Sequence, residues 1–335
     1  MAQPAVLGYQ AAVVTLAEPR RRVAPSRWIY RFEAACVALF FALCRLLPID
    51  MASGFGGWLG RRVGPLLGVS RQARRNLAAA FPDWPPAEIE RVVHGVWDNL
   101  GRVAAEYPHL RRIRVFDGGR VEIRGLDHLE RAVAGNRRVI LFSGHLANWE
   151  IAALAAGQCG LDIAQVYRTP NNPFVDRMIR RWRGGQGRKG QGRKGQGHKG
   201  RGEFIPKEAV GRRAVAALRR GAHLTILADQ KLNEGIPVRF FGRTAMTAPT
   251  VALLALRFGC DVLPARVERL HGARFRLTIE PPLPLPGTGN RAADVASLMT
   301  TVNATLERWI RERPEQWFWV HRRWPDHPSN PPDEL

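Results

Sequence analysis

This 335-residue chain is poor in cysteine, holding four: Cys36, Cys44, Cys159 and Cys260. None forms a C-x2-C pair, and no histidine stands at zinc-ligand spacing from them. That pattern argues against a disulfide scaffold and predicts reduced thiols in a reducing compartment, with no structural metal; no cofactor is expected either. The chain also lacks an uninterrupted apolar run of the ~20 residues that a spanning helix needs. Its strongest apolar stretch, Ala34 to Cys44, is broken at Arg45, with arginines on both sides. A small-residue cleavage site is missing too, and the leader is long, which disfavours a signal peptide. Acid is scarce: 29 Asp and Glu stand against 51 Lys and Arg, a net charge of +22. Such an excess favours a polyanionic partner, whether nucleic acid, an anionic membrane surface or a phosphorylated substrate. Arginine dominates, and its planar fork suits phosphate.

What is present divides into regions. Residues 1–27, rich in Ala, Pro and Arg, read as a disordered leader. Residues 28–70 read as an N-terminal helical region. Basic flanks at both ends favour a helix lying at, or dipping into, the cytoplasmic leaflet; an ordinary buried helix fits the length as well. The main domain is expected over 71–328, with a tail at 329–335. Within it, 184–202 carries a five-residue repeat, Gly185-Gln-Gly-Arg-Lys189 and two near copies, expected to be a flexible cationic insertion. It has no aromatic residue for base stacking, which weighs against a nucleic-acid tail.

Around that insertion, short strands alternate with helices. Strands are expected at 121–123, 138–143, 161–167, 223–228, 262–267 and 274–280. Helices are expected from Asp83-Trp-Pro-Pro86 onward, where Ile89, Val92, Val93, Val96, Leu100 and Val103 recur at helical spacing, and over 174–182, 209–220 and 293–311. Another is expected to open with Thr247 as N-cap and close at Gly259. The pattern predicts a single α/β domain around a mixed central sheet flanked by helices.

Chemistry concentrates in Val139-Ile-Leu-Phe-Ser-Gly-His-Leu-Ala-Asn-Trp-Glu150. A buried strand ends at Gly144, and a helix is expected to begin near Ala147. Two residues five apart on a regular helix lie about 140° apart. His145 and Glu150 converge only if His145 precedes the helix and Glu150 occupies its first turn. A general base oriented by a carboxylate would fit that layout, with free N–H groups at the helix start for an oxyanion. A surface histidine beside a first-turn glutamate is the plainer alternative. Ser143 is not set in a G-x-S-x-G elbow. Arg322 and Arg323, beside His321, could meet an anion or form an exposed ion pair, and most of the tryptophans nearby suit a core.

The stretch Gly144-His-Leu-Ala-Asn-Trp-Glu150 resembles the H-x4-D/E signature of glycolipid acyltransferases, and more closely the late lauroyl/myristoyl transferases of lipid A biosynthesis. Many of these read Gly-His-Phe-Gly-Asn-Trp-Glu. Further matches follow in order: Tyr167-Arg168, Asn171-Asn172-Pro173, Asp229-Gln230, Val238-Arg-Phe-Phe-Gly242, Thr247-Ala-Pro-Thr250 and the closing Pro314 to Trp324. The resemblance implies a glycerolipid-acyltransferase-like fold with an N-terminal membrane-associated helix at the cytoplasmic face of the bacterial inner membrane. It implies transfer of a fatty acyl chain from acyl-acyl carrier protein to a hydroxyl of a phosphorylated lipid A precursor, with no acyl-enzyme. His145 would be the base and Glu150 its support, while Arg168 and Asn172 would bind substrate and Asp229 would assist the site. Two alternatives stay open: another glycolipid acceptor, such as a phosphatidylinositol mannoside or an ornithine lipid, and a basic nucleic-acid-binding protein. The resemblance favours no nucleic-acid partner.

Overall fold

The computed structural model describes residues 27–116, 119–167, 170, 172–183, 203–206 and 209–324. Residues 1–26 of the leader, the 184–202 insertion, the tail and Arg168 lie outside the described residues, and Arg27, expected in the leader, opens the first helix. In chain order the helices are α1 (Arg27–Leu46), α2 (Ile49–Val63), α3 (Ser70–Ala80), α4 (Pro86–Glu106), α5 (Leu126–Ala134), α6 (Glu150–Gln158), α7 (Pro173–Arg183), α8 (Val210–Arg219), α9 (Thr250–Phe258) and α10 (Arg291–Glu312). The strands are β1 (Val121–Arg124), β2 (Val139–Ser143), β3 (Ile163–Tyr167), β4 (Glu203–Pro206), β5 (His223–Leu227), β6 (Lys231–Phe240), β7 (Arg243–Thr247), β8 (Asp261–His271) and β9 (Arg274–Ile279).

Seven strands form one sheet in the order β1-β9-β8-β2-β5-β3-β4. Every neighbouring pair is parallel except β8 with β9, so the sheet is mixed, as expected. The period of two along a strand explains why β2 is buried throughout. Ile140 and Phe142 enter an apolar cluster with Leu254, Leu298 and Trp309, whereas Val139 and Leu141 enter another with Leu129, Ile151 and Leu154. The sheet is thus covered on one face by α9 and α10 and on the other by α5 and α6.

A hairpin of β6 and β7 stands apart from the main sheet. Its two-residue turn puts Phe241 at φ 53° and Gly242 at φ 69°, the left-handed pair that matches strand twist. Thr247 ends this hairpin and does not cap α9; its hydroxyl donates to the Ala245 carbonyl at 3.0 Å. The helix starts at Thr250 instead and stops at Gly259, φ 61°. Asn290 caps α10 by accepting from the Ala292 and Ala293 amides.

No helix among the described residues is long and apolar enough to cross a membrane. α1 carries Trp28, Phe32, Leu39 and Leu46 exposed, and buries only Ala34, Phe41 and Cys44.

Candidate functional site

Strands β2 and β5 are parallel neighbours, with Ser143 opposite Leu227. Two residues beyond each strand end stand His145 and Asp229, so the register alone sets them side by side at the carboxyl edge of the sheet. Ligands of α/β sheets collect at such edges. The Ala228 amide donates to the Ser143 carbonyl at 2.9 Å and extends the pairing to the site itself.

Asp229 is buried and receives three hydrogen bonds. The His145 ring donates from Nδ1 to Oδ1 at 2.7 Å, the His145 amide to Oδ2 at 2.7 Å, and the Trp317 indole to Oδ2 at 2.7 Å. Burial pushes the Asp229 carboxyl upward, but the charge of His145 and its bonds outweigh that, holding it well below the usual carboxylate range. An ionised Asp229 fixes the proton of His145 on Nδ1 and leaves a lone pair on Nε2. Nε2 lies 3.5 Å from the side-chain nitrogen of Gln230. The ring is walled by Trp149 and Phe318, centroids at 5.2 and 5.9 Å, yet its side chain stays 14% exposed. A reacting hydroxyl therefore has a way in.

The carboxylate on the ring's Nδ1 is Asp229, where Glu150 was expected. Glu150 is the first residue of α6, buried, and accepts from the Tyr107 hydroxyl at 2.8 Å. The helix begins three residues later than expected because Ala147 takes φ 50°, which interrupts the helical path. The free N–H groups expected there are largely used. Ala147 donates to the Gln316 carbonyl, Leu146 to that of Gly144, and Glu150 to Asn148 Oδ1. Asn172 is placed as the N-cap of α7, accepting from the Phe174 and Val175 amides. Its Nδ2 donates to the Tyr30 carbonyl and to Glu33 on α1. These bonds fasten α7 to α1 and occupy the polar atoms expected to hold substrate. Arg323 is fully buried and not at an exposed pair. It donates to the Met246 carbonyl at 3.0 Å and to Thr247 at 2.8 Å, and burial pulls it down to about 10.

A second buried assembly braces the loop from below. The Glu106 carboxylate forms a bidentate ion pair with Arg269 and accepts from Asn148 Nδ2 at 2.8 Å and from the Ser53 hydroxyl at 2.6 Å. Asn99 Nδ2 donates to the carbonyls of Ala147 and Gln316 at 3.0 and 3.3 Å, and its Oδ1 accepts from Arg269 at 3.1 Å. Motif loop and closing segment are thus fastened to the same buried amide. Trp317, Gln230 and Glu106 were not singled out by sequence reasoning as site residues. Trp317 and Gln230 sit inside the family-like segments, which was a signal; Glu106 left none.

The arrangement can accept a proton at Nε2 and stabilise the resulting imidazolium through Asp229. Comparison with known proteins places the chain among acyltransferases. A family model described as bacterial lipid A biosynthesis acyltransferase matches residues 20–326. Lipid A biosynthesis palmitoleoyltransferase of Escherichia coli (strain K12) is 26% identical over 320 residues, covering 91% of this chain and 93% of the relative. Lipid A biosynthesis lauroyltransferase of the same strain is 23% identical, covering 85% and 89%. Phosphatidylinositol mannoside acyltransferase of Mycolicibacterium smegmatis (strain ATCC 700084 / mc(2)155) is 24% identical, covering 84% and 88%.

Proposed function

Because the chain belongs to the bacterial lipid A biosynthesis acyltransferase family, we propose that it moves a fatty acyl chain from acyl-acyl carrier protein to a hydroxyl of a phosphorylated lipid A precursor. The observation that carries the mechanism is the Asp229–His145 pair at the end of β2 and β5. His145 Nε2 takes the proton of the acceptor hydroxyl as the oxygen attacks the thioester carbonyl. The tetrahedral adduct collapses to the ester as its C–S bond breaks, and the carrier thiolate leaves and takes the proton from the imidazolium. No acyl-enzyme forms. Asp229 orients the ring and balances its charge. Glu150, buried in the first turn of α6, adds negative potential that favours the imidazolium. The Gln230 amide, on the Nε2 side of the ring, offers an N–H to the developing oxyanion.

Arg168 remains a proposed phosphate ligand of the acceptor. Asn172 contributes by holding α7 in place. The enzyme acts at the cytoplasmic face of the bacterial inner membrane, held by the exposed apolar side chains of α1 lying in the leaflet rather than by a span. The +22 charge draws both the acidic carrier and the phosphorylated lipid toward it.

Incubation of the purified enzyme with acyl-acyl carrier protein and a panel of acceptors, read by mass spectrometry, tests this. A lipid A precursor heavier by one acyl group is expected. Acylation of a mannosylated phosphatidylinositol alone would reassign the acceptor, and no acylation of any glycolipid would refute the reading.

A further inference from the structure

Helix α2 reverses the usual arrangement of side chains. Its protein-facing stripe is made of small residues: Ala52, Ser53, Gly56 and Gly57 are buried. Its outward stripe, at spacing i, i+4, i+7, is bulky and apolar: Met51 is 60% exposed, Phe55 42% and Trp58 48%. The segment after it continues that surface with Leu66 at 84%, Leu67 at 43% and Val69 at 42%. A monomer rarely leaves so many large apolar side chains together in water.

The small stripe exists to press α2 against α4. A Cβ on Gly56 would stand 2.3 Å from the Gly101 carbonyl oxygen, and one on Gly60 would stand 2.0 Å from that of Trp97. Backbones that close leave no freedom to roll the bulky stripe inward. Hydrogen bonds lock the same orientation: Ser53 donates to Glu106, and Asp50 accepts from Arg120 and from the Ala273 amide. Between Asp50 and Asp83 the chain carries five arginines and no acidic residue. Arg62, Arg71 and Arg75 are exposed there. Arg61 and Arg74 pair with Asp98 and Glu90, and an exposed apolar face in a segment that still carries the exposed cations Arg62, Arg71 and Arg75 complements one occupant, the headgroup and acyl boundary of an anionic bilayer.

We propose that α2 and the Leu66–Val69 turn form a second membrane-inserted surface, separate from α1, which presupposes the inner-membrane location proposed above. Because Glu106 accepts from both Ser53 of α2 and Asn148 of the motif loop, the depth of α2 in the bilayer sets the height of His145 above it. A lipid hydroxyl then meets the base without leaving the interface.

The test uses the full chain with phosphatidylethanolamine vesicles containing phosphatidylglycerol. Bromines placed on the acyl chains should quench the Trp58 component, taken as wild type minus Trp58→Phe. Phe55→Ser and Trp58→Ser should each weaken vesicle binding about tenfold. Both should keep turnover on a detergent-dispersed acceptor, because these side chains lie on the surface. Binding without quenching of Trp58 would overturn the α2 surface alone, leaving that face to residues 1–26 or a second copy. Failure to bind vesicles at all would overturn the membrane location as well.

Discussion

The edge around His145 and the outer face of α2 break the ordinary burial rule in opposite directions. At the edge, charged side chains are inside: Glu106, Arg323 and Asp229 are fully or almost fully buried, and Arg269 is nearly so. On α2, aromatic side chains are outside. Each inversion has a cost in an isolated soluble chain. Buried ions lose hydration unless partners replace it, and exposed aromatics order water. At the edge the cost is offset within the molecule, by three donors on Asp229 and four on Glu106. On α2 the structure offers no such compensation among the described residues, so it must come from outside. Internal compensation marks preorganised chemistry; its lack marks a surface meant for contact.

The largest effect that sharpens the contrast is at the edge. His145→Ala should lower transfer by about two to four orders of magnitude while fold and vesicle binding persist, as stopped assays and circular dichroism would report. Glu150→Gln should cost less, because Glu150 is not on Nδ1. A larger loss from Glu150→Gln than from Asp229→Asn would reverse the assignment of the two carboxylates. Next, Glu106→Ala strands a buried guanidinium and should destabilise the protein by about 3–5 kcal/mol in urea unfolding, far more than Trp58→Ser. Equal effects would erase the distinction between the regions.

Acid should act on the inside first. Burial lowers the pKa of His109 and His223, and lowers that of His321 to about 4. An unfolded histidine titrates near ~6.5. The unfolded state therefore binds more protons between those values, so stability is full above ~6.5 and declines as pH falls toward 4. The carboxyl of Asp229, held low, adds stability above its unfolded value of ~3.9 and loses it only in stronger acid. Thermal melts from pH 7 to 4 should fall, and His321→Asn should flatten the slope. The smallest effect is local. Ala147 is buried at φ 50°, a conformation that costs a side chain about 1–2 kcal/mol, whereas glycine costs flexibility of roughly 0.5–1 kcal/mol. Ala147→Gly should therefore leave stability unchanged or raise it by up to about 1 kcal/mol.

Local pattern made part of this legible. Strand β2, the junction after it and the helix after Pro86 were readable because each is encoded over neighbouring residues. The mixed α/β sheet followed from their alternation. The partner of His145 was not readable from spacing: the register of β2 and β5 joins residues 84 apart, and Glu150 offered a nearer carboxylate. The Glu106–Arg269 pair spans 163 positions and looks in sequence like two surface charges. The hairpin of β6 and β7 was missed because Phe241 takes a turn position that usually signals itself by Asn or Gly. The region holding α2 was read as helical, but its outward stripe was hidden among the glycines that let it cross α4 closely.

The central claim is that His145 and Asp229 act as one unit. Transfer rates of His145→Ala, Asp229→Asn and the double variant, measured at saturating donor and acceptor, test it directly. A unit predicts that the double variant is no slower than His145→Ala alone, since the carboxylate has nothing left to orient. Losses that multiply would show the two residues working independently and contradict the account.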